Sequence, residues 1–191
     1  MSSINYSIPN TLAIGLGANI RSYAGSPKST LISARPLIEQ TITEWLKEFF
    51  DESASDNSLD IKPDFRWSPL YKTKPIGGPN HQPHFVNAVL IVSGENFKES
   101  SPSLRAASDL FKRFCKIEAQ FGRERVIHWG PRSLDIDLLA WGDLQIKNKE
   151  LTLPHPRLIE RDFVIIPLGE ALKAKSEEIP IKITPLEDWE E

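Results

Sequence analysis

The chain has few of the residues that build disulfide-bonded, zinc-binding or membrane-spanning proteins. Its 191 residues include one cysteine, Cys115, which can form no internal disulfide and matches no zinc-ligand spacing. No apolar run approaches the roughly 18 uninterrupted residues of a membrane span. Residues 1–10 lack the charged and apolar regions of a signal peptide. These absences favour a cytoplasmic protein.

An excess of positive charge is also missing. Lysine and arginine number 23 against 26 acidic residues, and the net charge of −3 argues against general binding to nucleic acids or membrane surfaces. A hydrophobic content of 40% is ordinary for a globular protein with a core. We predict one domain over residues 1–191, with a core at about 11–172, a polar insertion at about 51–64 and an acidic tail at about 177–191.

Two familiar phosphate-binding loops are absent after the first predicted strand. Residues 11–17 read T-L-A-I-G-L-G, and a Gly-Ala-Asn turn signal follows. The third glycine of a dinucleotide fingerprint is missing, and no Gly-Lys-Ser/Thr follows as in a P-loop. Neither motif therefore explains a nucleotide site in this chain.

Strand-like patterns recur along the chain. They lie at residues 11–17, 66–72, 85–92 and 134–141, with a further short strand at 151–153. Pro69 makes the second an edge or bulged strand. In the third, alternate residues line two faces, one with Phe85, Asn87, Val89 and Ile91, the other with Val86, Ala88, Leu90 and Val92.

Helical spacing appears in two long segments. One runs from Leu37 to Phe49, where Pro36 kinks or begins the helix, and the other from Ser103 to about Phe121. A short apolar run at residues 163–168 precedes a helix-like segment at 169–175. The order β, α, β, β, α, β predicts an α+β protein of the ferredoxin-like α/β sandwich type, an antiparallel sheet with both helices on one face.

The most informative stretch is H-W-G-P-R-S-L-D-I-D-L-L at residues 128–139. On a strand, Asp135 and Asp137 project to one face, while the aliphatic residues beside them point into a core. Paired carboxylates repel unless they share a cation, and oxygen ligands suit Mg²⁺. The fork of Arg132 suits phosphate oxygens, so the stretch predicts phosphoryl transfer. A bare D-x-D is also common on solvated surfaces, but the apolar flanks argue against that interpretation here.

Three other features point to a pocket. Residues 73–84 contain three prolines and two glycines, which is typical of a binding loop. Asn87 shares a strand face with Phe85, which is unusual for a pure core. Glu118 lies on or beside the apolar face of its helix and therefore needs a partner.

Several separated motifs occur in the order known for one enzyme family. They are G-L-G-A-N, Y-K-T-K-P-I-G, F-V-N-A-V, E-A-Q-F-G-R, the stretch at residues 128–139, and L-P-H-P-R-L-I-E-R-D-F. On these motifs the chain resembles the 6-hydroxymethyl-7,8-dihydropterin pyrophosphokinases of folate biosynthesis. The resemblance implies a ferredoxin-like fold and transfer of the pyrophosphoryl group of ATP to the pterin, with release of AMP.

The resemblance also implies roles for individual residues. The catalytic group would be Arg123, Arg132, Asp135 and Asp137, with two Mg²⁺ ions held by the two aspartates. The ATP side would comprise Arg125, His155, Arg161 and Glu118, although a buried pair of Glu118 with an arginine such as Arg161 is an equal alternative. The pterin side would comprise Thr73, Pro75, Gly77, Phe85, Asn87 and Phe163, the two phenylalanines stacking on the ring.

Some residues depart from the family pattern. The loop at residues 123–129 is about one residue shorter and lacks a lysine, His128 replaces a more usual arginine or lysine, and Pro156 stands where an aromatic residue can occur. These differences concern loop motion and the nucleotide side.

Two other functions remain open at this point. One is another Mg²⁺-dependent phosphoryl or nucleotidyl transferase on the same fold, and the other is a non-enzymatic module that binds RNA or a partner chain. For the favoured function we expect a monofunctional monomer with small-molecule substrates only, and no nucleic-acid or membrane partner.

Overall fold

The computed structural model describes residues 11–50, 62–94, 102–125, 129–175 and 183–185. Its strands are β1 (Leu12–Ala18), β2 (Asp64–Trp67), β3 (Leu70–Thr73), β4 (Phe85–Ser93), β5 (Asp135–Trp141), β6 (Ile146–Lys147), β7 (Thr152–Leu153) and β8 (Ile183–Pro185). Its helices are α1 (Pro27–Phe50), α2 (Leu104–Gln120) and α3 (Asp162–Lys173). Residues 51–61 of the predicted insertion, His128, and the predicted tail other than 183–185 lie outside the described residues.

The main sheet confirms the predicted fold class. Its strand order is β5-β1-β4-β3-β8, and β2 also pairs with β4. The pairings of β1, β2, β3, β4 and β5 are antiparallel, whereas β8 pairs with β3 in parallel. With helices packed on this sheet, the fold is an α+β sandwich of the ferredoxin-like type. Among the described residues, no helix has the length and hydrophobicity needed to cross a membrane.

The central strand β4 alternates as its sequence predicts. One face enters the large core under α1 and α2, and the other face carries a second, smaller apolar cluster. The first face comprises Val86, Ala88, Leu90 and Val92, and the second cluster includes Val89 and Ile91. The period of two along a strand therefore gives each face its own partner layer.

Helix α1 begins at Pro27, earlier than the helical spacing from Leu37 predicts. Pro36 lies inside the helix. The Ser26 hydroxyl accepts a hydrogen bond from the backbone N–H of Ser29 at 3.2 Å. A serine cap followed by proline is a favoured helix start, because proline lacks an N–H that would otherwise be unpaired. The Ser26-Pro27 pair was the available signal.

The second predicted strand is divided in two at Pro69. Both β2 and β3 pair with β4, at different positions along it. At the break the Ser68 hydroxyl accepts a hydrogen bond from the N–H of Val89, and the Ser68 N–H donates to the Val89 carbonyl, both at 2.9 Å. The serine side chain thus replaces part of the ladder that proline interrupts.

The C-terminal part of the chain differs from its predicted elements in two respects. Helix α3 is continuous from Asp162, and it packs on the sheet face opposite α1 and α2, where Val164 and Ala171 join the cluster of Val89 and Ile91. Local periodicity cannot reveal which face of the sheet a helix covers. Within the predicted acidic tail, residues 183–185 add β8 to the edge of the sheet beside β3.

Candidate active site

A cavity of about 550 Å³ lies on the sheet face that α1 and α2 leave free. Its floor comes from β1, β4 and β5, whose register sets Gly15 opposite both Asp137 and Val89, and Gly17 opposite both Asp135 and Asn87. Two glycines thus leave an open groove between the aspartates of β5 and the side chains of β4. A Cβ atom on Gly17 would lie 2.9 Å from Oδ1 of Asn87.

Asp135 and Asp137 both line this cavity, as their spacing predicts. Ile136 and Leu138 point the other way and are buried in the large core. Asp135 is held by two arginines: Nη2 of Arg123 lies 2.9 Å from its Oδ1, and Arg132 forms an ion pair with its other oxygen. The first carboxylate therefore already has compensating charge.

Asp137 is in a different electrical position. Burial, with the nearby carboxylates of Asp135 and Glu118 acting in the same direction, raises its pKa to about 7. Charge on Asp137 is therefore costly until a cation compensates it. Because two arginines neutralise Asp135 while Asp137 is buried beside other carboxylates, a further positive charge would be stabilised at this pair.

Glu118 lies behind the cavity and is not among its described lining residues. Its side chain is buried, one oxygen accepts a hydrogen bond from the N–H of Ile136 at 2.8 Å, and the other pairs with Arg125. Burial is also the main cause that raises its pKa. Of the two alternatives, the structure has a pair of buried Glu118 with an arginine, but that arginine is Arg125, whose side chain is 58% exposed, and not the suggested Arg161. The partner follows from where residues 123–125 leave α2, which spacing does not give.

His155 and Arg161 also line the cavity. The backbone N–H of His155 donates to the Leu139 carbonyl at 2.7 Å, and this bond fixes the segment after β7 beside β5. Burial lowers the pKa of His155, and Arg161 and Arg157 lower it further. Nδ1 of His155 accepts a hydrogen bond from the N–H of Arg157 at 3.2 Å. The ring is therefore neutral at pH 7, with its hydrogen on Nε2.

The six predicted pterin-side residues also line this cavity. The amide of Asn87 donates to the hydroxyl of Thr73 at 2.9 Å, which leaves Oδ1 of Asn87 above Gly17. Guanidinium groups cover the two phenyl rings: Arg132 lies 5.6 Å from the ring centre of Phe85 and Arg161 lies 5.3 Å from that of Phe163. Of the fourteen predicted site residues, only Glu118 stands outside the lining.

A family model for 7,8-dihydro-6-hydroxymethylpterin-pyrophosphokinase matches residues 13–173. The chain belongs to this family. Relatives with the name 2-amino-4-hydroxy-6-hydroxymethyldihydropteridine pyrophosphokinase agree with it. The protein of Aquifex aeolicus is 33% identical over 160 residues, covering 84% of this chain and 79% of that protein.

Shorter matches to the family extend to other bacteria. The pyrophosphokinase of Haemophilus influenzae is 42% identical over 103 residues, which is 54% of this chain and 58% of that protein. That of Synechocystis is 37% identical over 105 residues, which is 55% of this chain and 48% of that protein. The chain thus spans about half the length of these two relatives.

Sequence reasoning missed the role of the two glycines in the cavity. Gly15 and Gly17 are two residues apart on β1, so they share the face of the cavity. Period-two glycines in an otherwise apolar strand were the available signal, because a missing side chain on one face leaves a groove. The sequence analysis used them to exclude other nucleotide-binding motifs and as part of the G-L-G-A-N motif, without assigning them a place in the cavity.

Sequence reasoning also missed Asn19 and Gln82, which connect two loops beside the cavity. The buried Asn19 side chain accepts a hydrogen bond from the N–H of Arg132 at 2.7 Å and donates to the Pro83 carbonyl at 3.1 Å. Gln82 donates to the carbonyl of Trp129 at 3.1 Å. These bonds join the loop before β4 to the segment before β5. They link residues far apart in sequence, so no local pattern predicts them.

The donor set fits a hard divalent cation. Asp135 and Asp137 present oxygens on one face, and the pKa of Asp137 is raised by burial beside other carboxylates, a setting in which a divalent cation would be stabilising. Among the described residues, no group of three or more His, Cys, Asp or Glu side chains could hold a metal ion. Further ligands would therefore have to come from water or from phosphate oxygens.

Proposed function

We propose that this chain transfers the β,γ-pyrophosphoryl group of ATP to 6-hydroxymethyl-7,8-dihydropterin. The observation that carries the proposal is one cavity whose lining combines two chemically different kinds of surface. Asp135 and Asp137 lie on its floor, Arg123, Arg132 and Arg161 line it, and Phe85, Asn87 and Phe163 line it as well. A triphosphate and a flat polar bicycle need these two kinds of surface.

The pterin side offers an apolar slot with a polar edge. Phe85 and Phe163 supply aromatic faces for the bicycle, and the guanidinium groups now over them would move aside or stack with it. Asn87 can accept through Oδ1, while its amide is held by Thr73. The groove over Gly17 brings this edge next to Asp135. The hydroxymethyl group would therefore point towards the aspartates.

The phosphate side must exchange partners when ATP enters. Arg123 and Arg132 now neutralise Asp135. Phosphate oxygens would take over both arginines, since planar guanidinium forks bind them well, and Asp135 would be released. Arg161 and the Nε2–H of His155 add donors on the same side. A neutral His155 can donate without adding charge beside Arg161.

Asp135 and Asp137 would hold the two Mg²⁺ ions that we propose, and these ions would supply charge neutralisation and orientation of the triphosphate. The chain's own contribution is to place the reactants in line. The hydroxymethyl oxygen forms a bond to the β-phosphorus, the bond from that phosphorus to the oxygen bridging the α-phosphate breaks, and the hydroxyl proton is released. AMP and the pterin diphosphate are the products, without a covalent enzyme intermediate.

The test is the formation of AMP from ATP, with and without 6-hydroxymethyl-7,8-dihydropterin, at saturating Mg²⁺. We expect pterin-dependent AMP in the wild type and loss of AMP in Asp135→Ala and Asp137→Ala. Asp143→Ala is the matched control, because Asp143 is exposed in the turn after β5. Formation of ADP would instead identify a γ-phosphoryl kinase and overturn the proposal. Pterin binding without any turnover would favour a binding module.

The proposed partners are these two small molecules. A monomeric state and a cytoplasmic location remain predictions from the sequence. Sedimentation of the purified protein with and without ATP checks the first, since a dimer under either condition would contradict it.

A further inference from the structure

The indole of Trp129 lines the cavity next to Gly77, one of the proposed pterin-side residues, and we call this indole the roof of the cavity. Trp129 is 39% exposed and has a backbone φ of +56°. A non-glycine residue rarely adopts this left-handed conformation, so contacts around the residue must stabilise it. One such contact is the hydrogen bond that its carbonyl accepts from Gln82. The roof therefore depends on neighbours from other segments.

Gly77 and Gly78 lie against one side of Trp129. Both have positive φ values, +73° and +74°. A Cβ atom on Gly77 would lie 2.8 Å from the indole ring, and one on Gly78 would lie 2.3 Å from the carbonyl oxygen of Trp129. The glycine pair thus allows the pterin-side loop to touch the roof directly.

Arg157 contacts the roof from the segment that carries His155 and Arg161. Its guanidinium carbon lies 4.1 Å from the centre of the Trp129 ring, which is within the range of a cation–π contact. Arg157 is not among the described residues that line the cavity. Its backbone N–H, which holds Nδ1 of His155, is independent of its side chain.

We propose that Arg157 is a positioning residue, which acts through the indole of Trp129 and thereby fixes the roof over the pterin side. The inference rests on the proposed function for its kinetic consequence, but the contact itself can be tested without turnover. Removal of the side chain should loosen the roof and weaken pterin binding. It should leave His155 in place, because the backbone hydrogen bond survives.

The first measurement is the ¹⁵N resonance of the Trp129 indole N–H in the ligand-free protein, assigned by its loss in Trp129→Phe. We expect Arg157→Ala to shift this resonance and to increase its exchange with water. Arg105→Ala is the matched control, because Arg105 lies over Phe49 at 5.7 Å on another part of the molecule. An unmoved Trp129 resonance in Arg157→Ala would overturn the proposal.

The second measurement separates KM from kcat. We expect Arg157→Ala to raise KM for the pterin about five-fold, the size of one moderate cation–π contact, with little change in kcat or in KM for ATP. Arg157→Lys should recover part of the loss. In a Trp129→Ala background, Arg157→Ala should add nothing, because the partner of the guanidinium is already gone.

Other outcomes have distinct meanings. A rise confined to KM for ATP, or complete recovery by lysine with no shift of the indole resonance, would show that Arg157 acts through its charge and would overturn the positioning role. If the wild type turns over no pterin, the proposed function fails, while the indole resonance still decides whether Arg157 holds Trp129.

Discussion

The two faces of the main sheet carry different kinds of side chain, although adjacent residues of one strand supply both. Along β1, Ile14 and Leu16 enter the large core, while Gly15 and Gly17 floor the cavity. Along β5, Ile136 and Leu138 are buried in the core, while Asp135 and Asp137 face the cavity. In these parts of β1 and β5, a residue's place in the alternation thus decides whether it packs in the large core or lines the cavity.

The difference also separates two energetic roles. The core face gains free energy from apolar burial. On the cavity face, the two glycines have no side chain to bury, and the charge of Asp137 is electrostatically unfavourable. Burial and the neighbouring carboxylates raise the pKa of Asp137 for this reason. We infer that substitutions on one face change activity with little effect on stability, and that those on the other face do the reverse.

The largest effect is expected at the aspartates. Asp135→Ala or Asp137→Ala should lower kcat by about 10³-fold, since each removes charge aimed at the transferring phosphates. Ile136→Val, between them on the opposite face, should leave kcat unchanged. AMP formation at saturating substrates measures both. A similar loss in Ile136→Val would show that the two faces are not separable.

The converse test is Leu138→Ala. Leu138 is 3% exposed in the large core, so its truncation should lower the free energy of unfolding by about 3 kcal/mol. Urea denaturation gives this change, and active-site titration gives kcat per folded molecule, which we expect to be unaltered. A fall in kcat without a loss of stability would contradict the separation.

A smaller effect is expected from a methyl group in the groove. Gly17→Ala would set its Cβ 2.9 Å from Oδ1 of Asn87 and should raise KM for the pterin about tenfold. Gly15→Ala is the matched variant, because its Cβ meets the flexible Leu139 side chain at 3.3 Å and should cost less. Equal effects of the two variants would argue that Asn87 does not contact the pterin.

The smallest effect concerns pH and the stability of the metal-free protein. The folded-state pKa of Asp137, about 7, lies above its ordinary value of 3.8, so the folded state holds the proton more tightly. Stability should therefore fall as the pH rises from about 4 to 7 and stay lower above 7. Asp137→Asn cannot ionise, and its Tm should exceed that of the wild type by about 5 °C at pH 8.

The control for that prediction is the same pair of proteins at pH 4.5, where Asp137 is protonated and the two Tm values should converge. Added Mg²⁺ should stabilise the wild type at pH 8 but not Asp137→Asn. A constant difference in Tm between pH 4.5 and 8 would show that the ionisation of Asp137 is not responsible.

Prediction from the sequence succeeded where local periodicity carried the information. The alternation of β4 and the shared face of Asp135 and Asp137 required only the period of a strand. It failed where a segment had two possible partners. Glu118 could pair with any nearby arginine, and the structure selects Arg125. For helix α3 no face of the sheet was predicted, and the cluster around Val89 places it opposite α1 and α2.

By itself, the sequence determined the α+β class, the family and the residue types of the site, because these follow from short-range spacing and from motif order. Only the tertiary structure decided that Gly17 lies between Asp135 and Asn87 and that Trp129 meets Gly77 and Arg157. Strand register and contacts between distant segments depend on the packing of the whole molecule, and no local pattern encodes them.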